Sequence, residues 1–290
     1  MTINRKPAVP RSARPGGSKA PAAPKAPKKK FSVGQNSGTS GRKMMFYGAS
    51  GIGKSSISVL APKPVMIPLD NGSGNLIDPK TGNKIIEVEG VRSFEDTRDV
   101  LHQYELFDDF DSVIIDNVTK MEDLSHQYMF DTIKHEKGST CSSIEGYGFG
   151  KGYRHLYDIM KLILQDCDEL VRRGKNVILI AQCIARQIPN AAGDDYLCNC
   201  PRLYPGSKNL ASVADLYCEW CDDLLFMDYA NTMVHKKKIT GDTMRAIFTQ
   251  AEPHFKAKTR ALPNGTVIDP VVSFEDPTDD SIFQYVFGGV

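Results

Sequence analysis

An α/β fold, with a largely parallel sheet covered by helices on both faces behind a basic tail, is predicted by three features of this sequence. From Lys43 onward short apolar runs alternate with amphipathic stretches, the pattern of strands joined by crossover helices. A glycine-rich turn, "GASGIGKS", links the first apolar run to an apolar helix start. Composition also changes near residue 40: residues 1–40 are rich in Pro, Ala, Lys, Ser and Gly and nearly lack large apolar side chains.

Such a leading segment cannot bury enough surface to offset its ordering entropy, so residues 1–40 are expected to be disordered. Residues 1–43 hold 11 of the 36 basic residues and no Asp or Glu, which leaves 25 basic against 35 acidic in residues 44–290, a net charge of −10. The protein reads as an acidic body with a basic arm. The arm suits a polyanionic partner or a solubilising leader. No apolar run approaches the roughly 18 residues of a membrane span, and the N-terminus lacks the apolar stretch of a secretory signal. Those features predict a cytoplasmic protein without a membrane partner. The seven cysteines then read as reduced thiols rather than a disulfide framework.

Element by element, "KMMFYG" is a short apolar strand entering the glycine turn, and "PVMIPLD" (64–70) and "NKIIEVEG" (83–90) are the next two strands. "SFEDTRDVLHQYEL" opens with Ser93 three residues before Asp96, which predicts a capped helix start. "SVIIDN" (112–117) is a buried-type strand, and "TKMEDLSHQYMFDTIKHE" is helical. Leu156, Ile159, Ile163, Cys167 and Leu170 recur at helical steps over 153–173, with Gly174 placed to end that helix. "NVILIAQ" (176–182) is another core strand, followed by a polar loop over 184–206. A helix (207–220), a strand (223–228), a hairpin around "TGDT" and two final strands complete one domain over 41–290. No internal repeat is visible.

The turn "GASGIGKS" has the spacing G-x-x-x-x-G-K-S of a phosphate-cradling loop between a strand and a helix, the context in which that spacing is informative. Gly48 and Gly53 permit the backbone to aim successive N–H groups at phosphates. Ala49, Ser50, Gly51, Ile52 and Ser56 complete the cradle. Lys54 is placed to meet the β- and γ-phosphates of ATP, and Ser55 to hold Mg²⁺. Asp116, ending a buried strand, is the second candidate Mg²⁺ residue. Gln182 ends the next core strand, either as a sensor of the terminal phosphate or as a plain strand end. In "FKAKTR" the two-residue period puts Lys256, Lys258 and Arg260 on one face. Three cations there suit a neighbouring subunit's triphosphate, with Arg260 as a finger acting in trans, or a solvated edge strand. Residues 134–154 (Lys134, Lys137, Lys151 and Arg154 with Tyr147, Phe149 and Tyr153) interleave cations with aromatics. So do residues 184–208 (Arg186, Arg202 and Lys208 with Tyr196 and Tyr204). That mixture suits single-stranded DNA, and it is also ordinary loop composition. "CNC" (198–200) and "CEWC" (218–221) are read as core thiols or as a four-thiolate zinc site.

The series "GASGIGKS", "SVIIDN", "GYGFGKGY", "NVILIAQ" and "FKAKTR" resembles the RecA-like P-loop ATPase core, an AAA-type ATP-binding domain. It looks closest to the phage-encoded ATP-binding proteins of recombination and single-strand annealing. The resemblance covers roughly residues 43–265. It implies an ATP- and Mg²⁺-dependent homo-oligomer on single-stranded DNA in the host bacterial cytoplasm, with a single-strand-binding protein as a candidate partner. It also implies that a loop after the Gln182 strand faces DNA. In that family the second strand commonly ends in a glutamate that activates water; here Asp70 is the carboxylate available, one methylene shorter. Either Asp70 serves at a changed reach or hydrolysis is slow. Two other readings stand beside ATP-driven recombination: a small-molecule P-loop kinase, for which no arginine-bearing lid or acceptor pocket is evident, and a nucleotide-gated DNA-binding module with little turnover.

Overall fold

Lys43–Gly48 (β1) alternates its side chains between two separate cores, and this alternation builds the molecule around it. Met45 and Tyr47 enter one core, while Met44 and Phe46 enter the other. A strand buried on both faces has to be apolar throughout, which is why it reads as a continuous run. The structure is a computed structural model. It describes residue 33 and residues 40–287 except 71, 191–192, 208–209, 231, 236–237, 242–243, 261–264, 266 and 275, with backbone alone for 232–235 and 238–241. The tail expected over 1–40 lies outside the described residues apart from Val33 and Ser40, as does Lys208. From Ser40 onward the described residues belong to one compact unit.

After the glycine turn comes a short helix, Lys54–Ser58 (α1), and then Pro64–Pro68 (β2). The helix expected after the turn is thus only five residues long. Pro62 and Pro64 explain its end, because proline cannot continue a helix and restricts the residue before it. Phe94–His102 (α2) carries the expected cap: Ser93 accepts the Asp96 N–H, and Asp96 accepts the Ser93 N–H. Ser112–Asp116 (β3) leads into Val118–Thr132 (α3), capped by Asn117. Lys151–Arg172 (α4) ends just before Gly174, whose φ is +84°.

Five expectations need correction. Residues 83–90 form no strand; they meet β2 in a single bridge, Met66↔Glu87, and Ile86 is exposed. A β-branched run without a continuous partner on either side stays irregular. The polar loop expected over 184–206 is a β-hairpin. Asn176–Ile188 (β4) runs six residues past Gln182, and Tyr196–Pro201 (β5) pairs back on it with Arg186 opposite Cys198. Its ladder is made by backbone groups, so polar side chains such as Arg186 and Asn199 do not prevent it. The helix expected over 207–220 is shorter, Val213–Trp220 (α5), opened by Ser212, which accepts the Asp215 N–H, and Asp223–Tyr229 (β6) follows as expected. Thr232–His235 (β7) and Lys238–Gly241 (β8) then pair with His235 opposite Lys238, so "TGDT" (240–243) begins at the far end of β8 rather than forming the turn. The chain ends not in two strands but in Arg245–Phe248 (β9), Lys258–Thr259 (β10), Val271–Phe274 (β11) and the helix Ser281–Phe287 (α6). Helical spacing of Ile282, Phe283 and Val286, all buried, is the reason for that helix.

Among the described residues the main sheet has the order β11-β9-β6-β1-β4-β3-β2, with β10 on β6 and β5 on β4. Strands β6, β1, β4, β3 and β2 are parallel, while β9, β10, β11 and β5 are antiparallel additions. Helices α2 to α5 pack on the Met45–Tyr47 face, and α1 and α6 on the Met44–Phe46 face. This is the RecA-like α/β arrangement, a mostly parallel sheet with helices on both sides. Its order places β4 between the strand of the glycine turn and the strand of Asp116. No helix among the described residues is long and apolar enough to cross a membrane.

Candidate functional site

The carboxyl ends of β1, β3 and β2 meet Gln182, midway along β4, at one edge of the sheet, and the side chains emerging there form three neighbouring hydrogen-bonded pairs, Lys54–Gln182, Ser55–Asp116 and Asn117–Asp70. Crevices of this kind are where open α/β sheets bind ligands. Ala49, Ser50 and Gly51 form the exposed crown of the glycine turn, while Ile52 is buried beneath it and Ser56 is half-buried. Gly53 has φ +107°, and a Cβ at Gly48 would lie 2.4 Å from the Met227 carbonyl on β6. Left-handed geometry in one case and close backbone approach in the other require glycine at both positions.

Lys54 is buried. Its Nζ donates to the carbonyls of Gly48 (3.0 Å) and Ala49 (2.8 Å) and lies 3.5 Å from Oε1 of Gln182. Burial lowers its pKa, and the nearby Asp116 charge opposes that shift. Ser55 Oγ donates to Asp116 Oδ2 at 2.5 Å. Burial raises the pKa of Asp116, while the Ser55 hydrogen bond opposes the shift and Asp70 adds to it. Asp70 stands next to this pair: its Oδ2 accepts from Asn117 Nδ2 at 2.8 Å and its Oδ1 from the Gly72 N–H at 2.9 Å. The register Pro68↔Asp116 between β2 and β3 brings the two carboxylates together. Gathered in one place are a buried cation among backbone carbonyls, a hydroxyl and a carboxylate 2.5 Å apart, and a second carboxylate. Hard oxygen donors of this kind fit Mg²⁺, with Ser55 and Asp116 as the holding pair.

Gln182 joins this group to the hairpin. Its N–H donates to Thr119 Oγ1 at 3.1 Å, and its carbonyl accepts the Arg202 N–H at 2.7 Å. Two residues further on, the Tyr204 N–H donates to Glu122 on α3 (2.7 Å), and the Tyr204 ring stacks on Tyr153 of α4 with centroids 4.5 Å apart. The two segments read as candidate DNA contacts therefore adjoin. Arg186 donates to the Leu203 carbonyl, Lys151 pairs with Glu136, and Tyr196 is exposed. Phe149 is fully exposed at φ +48°, between Gly148 and Gly150, both at positive φ. Tyr147, by contrast, is buried, and its hydroxyl is bonded to the Met129 and Ile133 carbonyls.

Lys256, Lys258 and Arg260 lie away from this edge. They run from the level of Tyr47, whose hydroxyl accepts the Lys256 N–H at 3.0 Å, back toward the amino end of β6, where Lys258 pairs with Leu224. Their positive charge is met within the chain by α5 and the residue pair after it. Lys256 meets Asp215 (2.8 Å), Lys258 the Glu219 carbonyl (3.2 Å) and Arg260 Asp222 (3.0 Å). The cysteines of "CNC" lie on β5, and those of "CEWC" at the end of α5. Burial pushes the Cys200 thiol up to about 12 and the Cys218 thiol up to about 11, which disfavours thiolates. No group of three or more His, Cys, Asp or Glu suited to a metal occurs among the described residues.

Three residues of the site escape a reading along the chain. Asn117 positions Asp70, and its one local sign is its place before an apolar helix. Thr119 and Arg245 carry no local sign. Arg245 lies 193 residues beyond Ile52, yet its Nη1 stands 3.4 Å from the Ile52 carbonyl.

Comparison with known proteins agrees with this geometry at the level of the family. No curated protein matches the chain. Among solved structures, that of the flagellar accessory protein FlaH from Methanocaldococcus jannaschii is similar, with a TM-score of 0.38 at 9% identity over 81% of this chain and 85% of that one. A family model described as "AAA domain" matches residues 40–261, most of the chain and all of the site residues from Gly48 to Arg260. The chain therefore belongs to the AAA domain family, with a P-loop ATPase core.

Proposed function

We propose that this protein binds and hydrolyses ATP with Mg²⁺ as a homo-oligomer and uses the nucleotide state to control its grip on single-stranded DNA, in the manner of phage-type recombination and annealing proteins. The observation that carries the reading is the continuous link from Lys54 to Gln182 and on to the β4–β5 hairpin. A terminal phosphate at Lys54 would compete with Gln182 Oε1 for the Lys54 ammonium, and any shift of Gln182 moves the Arg202 N–H bonded to its carbonyl. The exposed Phe149 and the Tyr153–Tyr204 stack adjoin that segment and offer flat faces to unstacked bases. Lys134, Lys137 and Arg154 make no ion pair among the described residues, so their charge is available to phosphates.

In the nucleotide site, Lys54 supplies a fixed cation to the β- and γ-phosphates and the glycine turn supplies N–H groups. Ser55 and Asp116 would hold Mg²⁺, which when bound would supply positive charge to the phosphates. Asp70, whose oxygens accept from Asn117 Nδ2 and the Gly72 N–H, is the carboxylate that would orient attacking water. Arg260 keeps much of its surface exposed although it pairs with Asp222, which leaves it able to reach a neighbouring subunit. A second reading, a nucleotide-gated DNA-binding module with little turnover, is favoured by Asp70 itself: it is short, and both its oxygens are already engaged. Titrating a labelled oligonucleotide with the protein, with and without ATP and Mg²⁺, tests the proposal. A nucleotide-dependent change in affinity supports it, and equal affinity in both conditions contradicts it.

A further inference from the structure

We infer that Arg245, backed by Phe274 and flanked by Tyr229, is the platform on which the base of the bound nucleotide stacks. The inference rests on the nucleotide site proposed above and adds where the nucleoside end lies and what holds it.

Strand order sets the direction. Gln182 and Asp116 lie on β4 and β3, on one side of β1, while β6, β9 and β11 lie on the other. Terminal phosphate and metal ion belong on the β4–β3 side, with Lys54, Ser55 and Asp116. A nucleotide cradled in the turn then directs its nucleoside toward β6 and β9.

On that side three residues form one row across the sheet. Arg245 on β9 lies directly opposite Tyr229 on β6 and Phe274 on β11. Opposed residues of an antiparallel ladder project from the same face. Met227, two residues before Tyr229, and Phe274 both enter the core beneath α1, so this face is the one the glycine turn overlies. The Arg245 guanidinium carbon stands 5.0 Å from the centre of the buried Phe274 ring, and Nη1 is 3.4 Å from the Ile52 carbonyl. A Cβ at Gly53 would come within 2.6 Å of Nη1, so the turn and the arginine are in direct contact.

The guanidinium is half-buried and has no carboxylate partner among the described residues. It presents five N–H donors and two flat faces, and its central carbon lies over the Phe274 ring at 5.0 Å from the centroid. A planar guanidinium stacks well on an aromatic surface, and the free face suits a nucleobase. Tyr229, exposed at the end of β6, widens the platform. Positive charge near the turn also favours nucleotides in general, so the test has to separate base from phosphate.

Calorimetric binding of ATP and of inorganic tripolyphosphate does this, using the wild type, Arg245→Gln, Tyr229→Ala, Tyr229→Phe and Lys54→Ala. Gln at 245 keeps a polar, uncharged side chain, and thermal melting verifies that each variant is folded. The expected result is that Arg245→Gln weakens ATP tenfold or more and leaves tripolyphosphate within twofold. Tyr229→Ala weakens ATP less, Tyr229→Phe restores it, and Lys54→Ala weakens both ligands. Equal weakening of both ligands by Arg245→Gln would make Arg245 a phosphate contact and overturn the inference. So would no change in either while the wild type binds both. A wild type that binds neither ligand would instead remove the nucleotide site on which the inference stands.

Discussion

Lys54 Nζ lies 3.5 Å from Oε1 of Gln182, and the backbone of Gln182 holds both Thr119 on α3 and Arg202 after the β4–β5 hairpin. One side chain thus touches the phosphate-site cation while its own main chain anchors the segment proposed to meet DNA. Gln182→Ala is expected to keep ATP affinity within about threefold, because the loss is one long hydrogen bond of modest worth. It should abolish the ATP-dependent change in oligonucleotide affinity, read by fluorescence anisotropy. A variant that still responds to ATP would place the coupling elsewhere.

Lys54→Ala removes the cation around which the proposed phosphate site is built. Charge-assisted contacts to phosphate are roughly twice as strong as neutral ones, so ATP affinity should fall by about 100-fold or more. The Lys54 charge is buried at a cost, as its lowered pKa indicates. Its removal should therefore leave thermal stability near that of the wild type. Unchanged affinity for ATP in a folded variant would contradict the site.

Glu122 sets a pH dependence. Burial raises its pKa to about 7, while the Tyr204 N–H and the charges of Arg186 and Arg202 act in the other direction. A carboxyl whose folded pKa lies above its unfolded value of 4.5 favours the native state below that value. The advantage is lost as pH rises toward 7. The melting temperature should fall by a few degrees between pH 5 and pH 8, for a loss of about 1–3 kcal/mol. Glu122→Gln keeps an acceptor for the Tyr204 N–H and should flatten that part of the profile. An identical profile in the variant would show that Glu122 does not titrate in this range.

Arg260 has two possible partners, its own Asp222 and a neighbour's triphosphate. If it acts in trans, Arg260→Ala should keep ATP binding, since the chain's own loop performs it, and lose about 10³ in turnover, the scale of an arginine finger. Mixing it with Lys54→Ala should restore part of the activity, because some interfaces then combine an intact loop with an intact arginine. Verified mixed oligomers without any recovery would assign Arg260 to its pairing with Asp222 alone.

The strands of the parallel core were legible because each is buried on both faces and written in apolar residues, as in "KMMFYG", "SVIIDN" and "NVILIAQ". The glycine turn, Asp116 and Asp70 were legible for a related reason: they sit at or just past the carboxyl ends of those strands, where a parallel sheet gathers its loops, and Gln182 stands where β4 leaves its pairing with β1 and continues into the hairpin. The β4–β5 hairpin was not, because its pairing rests on backbone groups and leaves no apolar period in 184–201. Nor was the partner of Lys256, Lys258 and Arg260, since α5 precedes them by some forty residues and the contact is purely tertiary. Arg245 was hidden in the same way: a lone arginine in a short strand acquires meaning from the turn it touches.

The central claim is that nucleotide and single-stranded DNA act on each other through Gln182. Steady-state ATP hydrolysis by the full chain with Mg²⁺, measured with and without single-stranded DNA, tests it most directly. The account predicts slow turnover alone and a several-fold rise with single-stranded DNA, absent in Gln182→Ala. Turnover indifferent to single-stranded DNA, or stimulated equally in Gln182→Ala, would contradict it.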